Sequence, residues 1–160
     1  MCRTIIGQQL AGKAASAIFK RFDDLFEGKI TPNKILLIVP QRMRDVGLSW
    51  AKVRSIIDLA TKVINKNISL DNLPNLEDEK VIEELIKVKG IGKWTAEIFL
   101  MFKLRRENIF SWGDLGLKNG LKKYIGQETV SVEEMTEIVE KWNPYKTFGA
   151  IAMWQILDNK

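Results

Sequence analysis

The most constraining feature of this sequence is a Gly-Ile-Gly turn at residues 90–92 between two segments with helical periodicity. Apolar residues recur at helical spacing over residues 81–86, and the same spacing resumes over residues 94–104. Two glycines around one aliphatic residue permit a tight turn whose backbone stays exposed. The sequence therefore predicts two short helices joined by a hairpin.

The rest of the chain has the same periodicity, without a run of strand-type alternation. Residues 66–78, rich in Asn and Asp, are predicted to form a loop. We predict an all-α protein of about eight to ten mostly short helices. Besides the hairpin helices, the predicted helices span roughly residues 4–22, 32–38, a short helix that ends at Gly47, 49–63, 115–124, 132–142 and a last segment that ends near residue 157. Thr31 and Ser49 are predicted N-caps.

The residue types present exclude several kinds of chemistry. Among the 160 residues there is no histidine and a single cysteine, Cys2. Histidine-based nucleophilic triads, histidine-ligated zinc and four-cysteine iron–sulfur clusters are therefore excluded. The apolar runs are too short to span a bilayer and the N-terminus has no signal-peptide pattern, so we expect a cytoplasmic protein. The formal net charge of +5 suits a polyanionic partner without establishing one.

The turn at residues 90–92 has two readings. A bare Gly-x-Gly is more often a helix stop followed by a new helix. A dinucleotide-binding loop is disfavoured because the preceding segment is helical and the third glycine of that fingerprint is missing. Alternatively, the amides of the turn and of the next helix N-terminus donate to a phosphate. Lys87, Lys89 and Lys93 would then add attraction to a nucleic-acid backbone without reading its sequence.

Asp114 directly precedes a predicted helix, where an aspartate is most often a simple N-cap. The exposed amides and the dipole of a helix N-terminus favour the charged form of a carboxylate. A charged carboxylate is also what cleavage through an oxocarbenium-like transition state needs. The capping and catalytic interpretations of Asp114 are therefore compatible.

Four segments, in order, resemble the helix-hairpin-helix (HhH-GPD) DNA glycosylase superfamily, and most closely its 3-methyladenine DNA glycosylase II branch. The resemblance covers about residues 3–157 and includes the lysine at position 146, where that branch usually has arginine. The segments are 5–15 (IIGQQLAGKAA), the hairpin 85–96 (LIKVKGIGKWTA), the aspartate motif 108–118 (NIFSWGDLGLK) and 142–154 (WNPYKTFGAIAMW).

The resemblance implies the fold of that superfamily, an all-α domain over residues 1–160 made of two small helical lobes with a cleft between them. The central lobe is expected over about residues 23–110, with the hairpin at 85–96. Residues 1–22 and 111–160 are expected to form the second lobe. Relatives are expected to carry a further helix before residue 5, so the chain reads as a short or truncated form. We expect a monomer, with self-association where apolar surface is left uncovered.

The implied activity is that of a monofunctional DNA glycosylase in base excision repair. Such an enzyme hydrolyses the N-glycosidic bond of a flipped-out alkylated purine, with Asp114 as the catalytic carboxylate that assists water. Bifunctional relatives carry a lysine where this chain has Trp94, so strand cleavage at abasic sites is not expected. Two alternatives remain: the same scaffold acting on a deaminated or oxidised base, and a catalytically silent or truncated helix-hairpin-helix protein that only binds DNA.

The resemblance also assigns roles to individual residues. Gln9 is the preferred wedge for the gap that the extruded nucleotide leaves. The base pocket is expected to include Trp94, Trp154, Ile98 and Leu115, whereas Trp142 is predicted to be a core residue. The DNA-binding residues are expected to be Gln8, Gln9, Ser49, Lys52, Lys89, Gly90, Ile91, Gly92, Lys93 and Thr95.

The expected partner is double-stranded DNA with damaged bases. The resemblance implies a monovalent cation, K⁺ or Na⁺, held at the hairpin only when DNA is bound. Its ligands would be the main-chain carbonyls of Ile86, Val88 and Ile91. No other cofactor is expected.

Overall fold

The computed structural model describes residues 1–10 and 12–158, which form helices and contain no β-strand. This confirms the predicted all-α class. No helix in the described ranges is both long and apolar enough to cross a membrane. The α-helices are α1 (Cys2–Gly7), α2 (Gly12–Asp24), α3 (Pro32–Leu37), α4 (Pro40–Asp45), α5 (Trp50–Ile64), α6 (Asp78–Ile86), α7 (Lys93–Phe102), α8 (Leu115–Ile125), α9 (Val132–Glu140) and α10 (Lys146–Asp158).

Two compact units divide the chain, Met1–Ala96 and Glu97–Lys160. The boundary lies within α7, whose first turn belongs to the first unit. The expected lobes, which group residues 1–22 with 111–160, stay a prediction. Within the first unit α1 contacts α2 and α5. The apolar side of α1 is thus buried by its own half of the chain.

One predicted helix is wrong. The single helix expected over residues 4–22 is interrupted, since α1 ends at Gly7 and α2 begins at Gly12. Gln8 is extended, with ψ of 130°, and Gln9 has a left-handed φ of 56°. The apolar periodicity continues across this break because both helices bury apolar side chains in the same unit. The break itself is stabilised by contacts that local sequence does not reveal.

Capping side chains begin several helices where the sequence predicts them. The Thr31 hydroxyl accepts a hydrogen bond from the Lys34 amide at 3.3 Å, and Pro32 follows at the first position of α3. Ser49 caps α5 in the same way through the Lys52 amide, also at 3.3 Å. The predicted loop over residues 66–78 is partly ordered instead, since Leu70–Asn75 forms a 3₁₀ helix.

The core of the first unit is apolar and closely packed. Ile5 and Ile6 of α1, Phe22 of α2 and Ile56 of α5 are fully buried. Each such side chain contributes about 1.5–3 kcal/mol when it is removed from water. This burial holds α1 and α5 together and so positions the loop that joins α1 to α2.

The second unit depends on a close contact between α8 and α10. A Cβ added to Gly120 would collide with the Met153 carbonyl oxygen and would lie 2.8 Å from Met153 Cβ. Glycine therefore lets the two helix backbones approach each other. Leu117 and Leu121 of α8 are fully buried in the same region. The contact determines where α10 places the residue after Met153, which is Trp154.

Candidate functional site

The first unit contains the predicted hairpin, residues 85–96. Gly90 has a left-handed φ of 78°, and a Cβ at this position would collide with Ser55 Oγ on α5. The Ile91 amide donates to the Val88 carbonyl at 3.1 Å, and both side chains are buried. Glycine is therefore required at position 90 by the backbone conformation and by the close approach of α5. This confirms the hairpin as a structural element.

The Asp58 carboxylate on α5 is hydrogen-bonded to the turn of the hairpin. Asp58 Oδ2 accepts hydrogen bonds from the Lys89 amide at 2.8 Å and from Lys62 Nζ at 2.7 Å. Although burial alone would raise the pKa of Asp58, these hydrogen bonds and the charges of Lys62 and Lys89 hold it below its ordinary value. The Asp58 carboxylate therefore stays charged and ties the turn to α5.

The loop between α1 and α2 is bonded to the same hairpin. Gln8 Nε2 donates to the Gly90 carbonyl and to Thr95 Oγ1, each at 2.9 Å. Thr95 is only 5% exposed. The side-chain amide of Gln8 is therefore bonded to the hairpin, whereas the neighbouring Gln9 side chain is exposed. The role of Gln9 as the wedge stays a prediction.

Lys52 stabilises the loop from its other side. Its ammonium group donates to the carbonyls of Ile6 at 2.7 Å and Gln8 at 2.8 Å. Burial lowers the pKa of Lys52 from its ordinary value. Lys52 is also a predicted DNA contact, and in the structure two of its three donors hold the loop backbone.

These residues surround one depression of about 380 Å³ in the first unit. Lys89 and Lys93 lie outside it as exposed side chains, and Ile91 is buried beneath the turn. The structure thus brings together most of the predicted DNA-binding residues. Those that line the depression are Gln8, Gln9, Ser49, Lys52, Gly90, Gly92 and Thr95, together with Trp94 from the predicted base pocket.

The main-chain carbonyls predicted as cation ligands at the hairpin are of a type that suits a hard cation. The predicted ligands are carbonyl oxygens, the atoms that such cations prefer. The Val88 carbonyl already accepts the Ile91 amide, but a carbonyl has a second lone pair. Within the described residues no group of three His, Cys, Asp or Glu side chains forms a competing metal site. By donor type, the residues present therefore fit a monovalent ion.

Asp114 lies at the N-terminus of α8 in the second unit. Its Oδ1 accepts hydrogen bonds from the Leu117 amide at 2.9 Å and from Trp154 Nε1 at 3.3 Å. The first bond confirms the predicted N-cap. The second places an indole directly beside the carboxylate. A Cβ on Gly116 would lie 3.0 Å from Asp114 Oδ1 and 3.3 Å from Trp154 Cδ1, so glycine allows this approach.

Comparison with known proteins identifies the family. Residues 2–144 match the HhH-GPD superfamily base excision DNA repair proteins. The chain belongs to this superfamily. This HhH-GPD chain is 30% identical over 166 residues to a putative DNA-3-methyladenine glycosylase of Bacillus subtilis, covering 99% of this chain and 58% of that relative. It therefore spans less than two thirds of that protein.

Two comparisons with fission yeast proteins cover more of the relative. The chain is 36% identical over 160 residues to DNA-3-methyladenine glycosylase 1 of Schizosaccharomyces pombe, covering 97% of this chain and 70% of the relative. It also superimposes on the structure of a 3-methyladenine DNA glycosylase of S. pombe in complex with abasic DNA. That match has a TM-score of 0.84 and 32% identity, and it covers 96% of this chain and 77% of the yeast chain.

Sequence reasoning missed one aromatic residue of this HhH-GPD site. Phe102, at the end of α7, stacks on Trp154 with ring centroids 5.9 Å apart and planes 28° from parallel. Phe102 is 51% exposed, so its ring is open to a ligand. Phe102 ends the apolar run 98–102, and nothing in that run indicates that its ring is exposed. Only the large solvent-exposed fraction in the fold distinguishes it from its buried neighbours.

The other predicted aromatic and apolar positions are exposed or half-buried. Leu115 is 74% exposed at the first position of α8, and Ile98 is half-buried on α7. Trp142 packs on Phe110, with centroids 6.1 Å apart, and its ring fills the space that a Cβ on Gly149 would need. Trp142 is half-buried between these two contacts, and its assignment to the core stays a prediction.

Proposed function

We propose that this chain is a DNA glycosylase of base excision repair that hydrolyses the N-glycosidic bond of alkylated purines. The observation that carries the proposal is the Asp114 carboxylate, held by the Leu117 amide with an indole donor at 3.3 Å. The glycosylase names of the fission yeast and B. subtilis relatives support the same activity.

The first unit is proposed to bind duplex DNA. Gly90, Gly92 and Lys93 are exposed at the turn, where backbone amides and the N-terminus of α7 suit a phosphate. Lys89 is exposed beside them and adds sequence-independent attraction. The S. pombe relative was solved with abasic DNA, which supports DNA as the partner.

Asp114 is proposed to assist the hydrolysis. A water oxygen adds to C1′ of the deoxyribose as the C1′–N bond breaks, and the bonding electrons leave with the base. The carboxylate stabilises positive charge that develops on the sugar and accepts the proton that the water loses. A purine alkylated on a ring nitrogen already carries positive charge, so it leaves as a neutral base without a general acid.

Substrate choice is proposed to come from the aromatic rings. Trp154 and the exposed Phe102 are electron-rich surfaces that attract a cationic base. Such a contact contributes about 0.5–2 kcal/mol and discriminates against neutral bases without reading their edges. We also propose that a monovalent cation binds the carbonyls of Ile86, Val88 and Ile91 when DNA is bound, where it would strengthen attraction to a phosphate.

The test is base release from methylated duplex DNA, followed separately by gel analysis of the strand with and without alkali. The expected result is free methylated purine and strands that break only after alkali, because Trp94 stands where bifunctional relatives carry lysine. Breaks without alkali would contradict the monofunctional assignment. Binding of the same DNA without any base release would favour the alternative of a DNA-binding protein.

A further inference from the structure

The second unit buries a carboxylate that the proposed chemistry does not use. Glu97 on α7 is 7% exposed, and Ser111, in the segment before α8, is fully buried. Ser111 Oγ donates a hydrogen bond to Glu97 Oε2. Removing a charged carboxylate from water is costly unless hydrogen bonds compensate. An apolar side chain would be less costly to bury here than the Glu97 carboxylate, which indicates a role that needs a hydrogen-bond acceptor.

The Glu97–Ser111 pair is connected to Asp114 through the backbone. The Ser111 carbonyl accepts a hydrogen bond from the Asp114 amide at 3.0 Å, which closes the turn over residues 111–114. Trp112 is half-buried and Gly113 is exposed, so Ser111 is the buried end of this turn. The path from α7 to the candidate catalytic residue is therefore two hydrogen bonds long.

The hydrogen bond to Asp114 and the hydrogen bond between Ser111 and Glu97 constrain different parts of the site. The bond from the Leu117 amide orients the carboxylate relative to α8. The bond from Ser111 to Glu97 instead holds the turn, and with it the start of α8, against α7. Charge-assisted hydrogen bonds are shorter and stronger than neutral ones, and they have a defined direction. An apolar pair at these positions would bury the turn without determining its orientation.

We propose that Glu97 and Ser111 are positioning residues for Asp114. This inference rests on the proposed function, in which Asp114 acts on a water at C1′. The pair holds the 111–114 turn so that the Asp114 carboxylate meets that water in a productive geometry. Displacement of a reacting group by about 1 Å can lower a rate on the order of 100-fold, so even partial loosening of the turn is measurable.

The test compares single-turnover base release and DNA affinity in four variants. Ser111→Ala removes the donor, and Glu97→Met removes the acceptor while filling the space. Each should lower the release rate by about tenfold with the Kd for DNA unchanged. Glu97→Gln should keep the release rate within about threefold of the wild-type rate, since its amide oxygen still accepts a hydrogen bond from Ser111. The double variant Ser111→Ala/Glu97→Met should be no slower than the slower single variant, because both substitutions break the hydrogen bond between Ser111 and Glu97.

Ser131→Ala is the matched control. Ser131 caps α9 in the same unit and bonds Glu134 at 3.1 Å, so its loss destabilises the unit without touching the 111–114 turn. All rates are compared at a temperature where every variant is folded. Equal rates for Ser111→Ala and wild type would overturn the inference, and so would an equal loss of rate in Ser131→Ala.

A second readout separates this inference from the proposed function. The Trp154 indole N–H donates to Asp114, so its nuclear magnetic resonance signal reports the position of the carboxylate. The signal should shift in Ser111→Ala and stay unchanged in Ser131→Ala. A wild-type chain without base release would refute the proposed function, and the shift would still show positioning of Asp114. If the wild-type chain releases bases but the indole signal is unchanged in Ser111→Ala, the positioning inference is refuted while the proposed function stands.

Discussion

Asp114 combines two roles, and two substitutions separate them. Its Oδ1 caps α8 through the Leu117 amide and accepts from Trp154, and the same carboxylate is the proposed catalytic group. Asp114→Asn keeps an acceptor oxygen of the same reach but removes the negative charge. Asp114→Ala removes both the acceptor and the charge. The pair therefore distinguishes loss of the cap from loss of the chemistry.

The expected effects on stability differ between the variants. Asn is as good an N-cap as Asp, so Asp114→Asn should change the free energy of unfolding by no more than about 0.5 kcal/mol. Asp114→Ala leaves the Leu117 amide without its 2.9 Å partner and should cost about 1 kcal/mol. For a chain of this size that cost lowers Tm by roughly 2–4 °C. Thermal unfolding followed by circular dichroism measures the difference.

The expected effects on activity are equal. Both variants lack the charged carboxylate, so single-turnover release of methylated purines should fall by about 10² to 10⁴-fold in each. Binding of abasic DNA should persist, because the proposed phosphate contacts lie in the first unit. Release by Asp114→Asn at a rate close to wild type would refute the catalytic role. Equal stability of the two variants would refute the cap as an energetic contribution.

Three further predictions concern the hairpin, the helix contact and pH. Gln8→Ala removes two hydrogen bonds to the hairpin and should weaken binding to undamaged duplex by about tenfold in a fluorescence titration, whereas Gln127→Ala, an exposed glutamine of the second unit, should not. Gly120→Ala should lower the free energy of urea unfolding by up to about 2 kcal/mol, since overpacking against Met153 exceeds the helix-propensity gain; no destabilisation would contradict this contact. The folded-state pKa of Asp58 is depressed, so its stabilisation is present above the unfolded-state pKa and is lost as pH falls through the folded one. Stability curves of wild type and Asp58→Asn should therefore converge in acid; a constant gap would oppose this.

Local features of the fold were predictable because their causes lie within a few residues. Thr31, Ser49 and Asp114 each accept a hydrogen bond from an amide three residues later. The start of each of these helices therefore depends on residues that are close together in the sequence. The hairpin is likewise set by a glycine that adopts a left-handed φ of 78°. The superfamily followed from the order of such local motifs along the chain.

Contacts between distant segments could not be predicted in this way. The break after Gly7 depends on Gln8 reaching Gly90, 82 residues later. The Phe102–Trp154 stack likewise joins segments far apart in sequence. Helical periodicity reports which side of a helix is apolar but not which partner that side meets.

The resemblance to the superfamily singled out Asp114 as the candidate carboxylate, and the sequence alone determined the helical class, the helix caps and the hairpin. Each of these depends on backbone geometry or hydrogen bonds within one or two helical turns. Tertiary structure decided that Gln8 is bonded to the hairpin while Gln9 is exposed, that an indole lies beside Asp114, and that Glu97 is buried against Ser111. These outcomes depend on which helix surfaces pack together, because close packing brings polar groups from distant segments within hydrogen-bond distance.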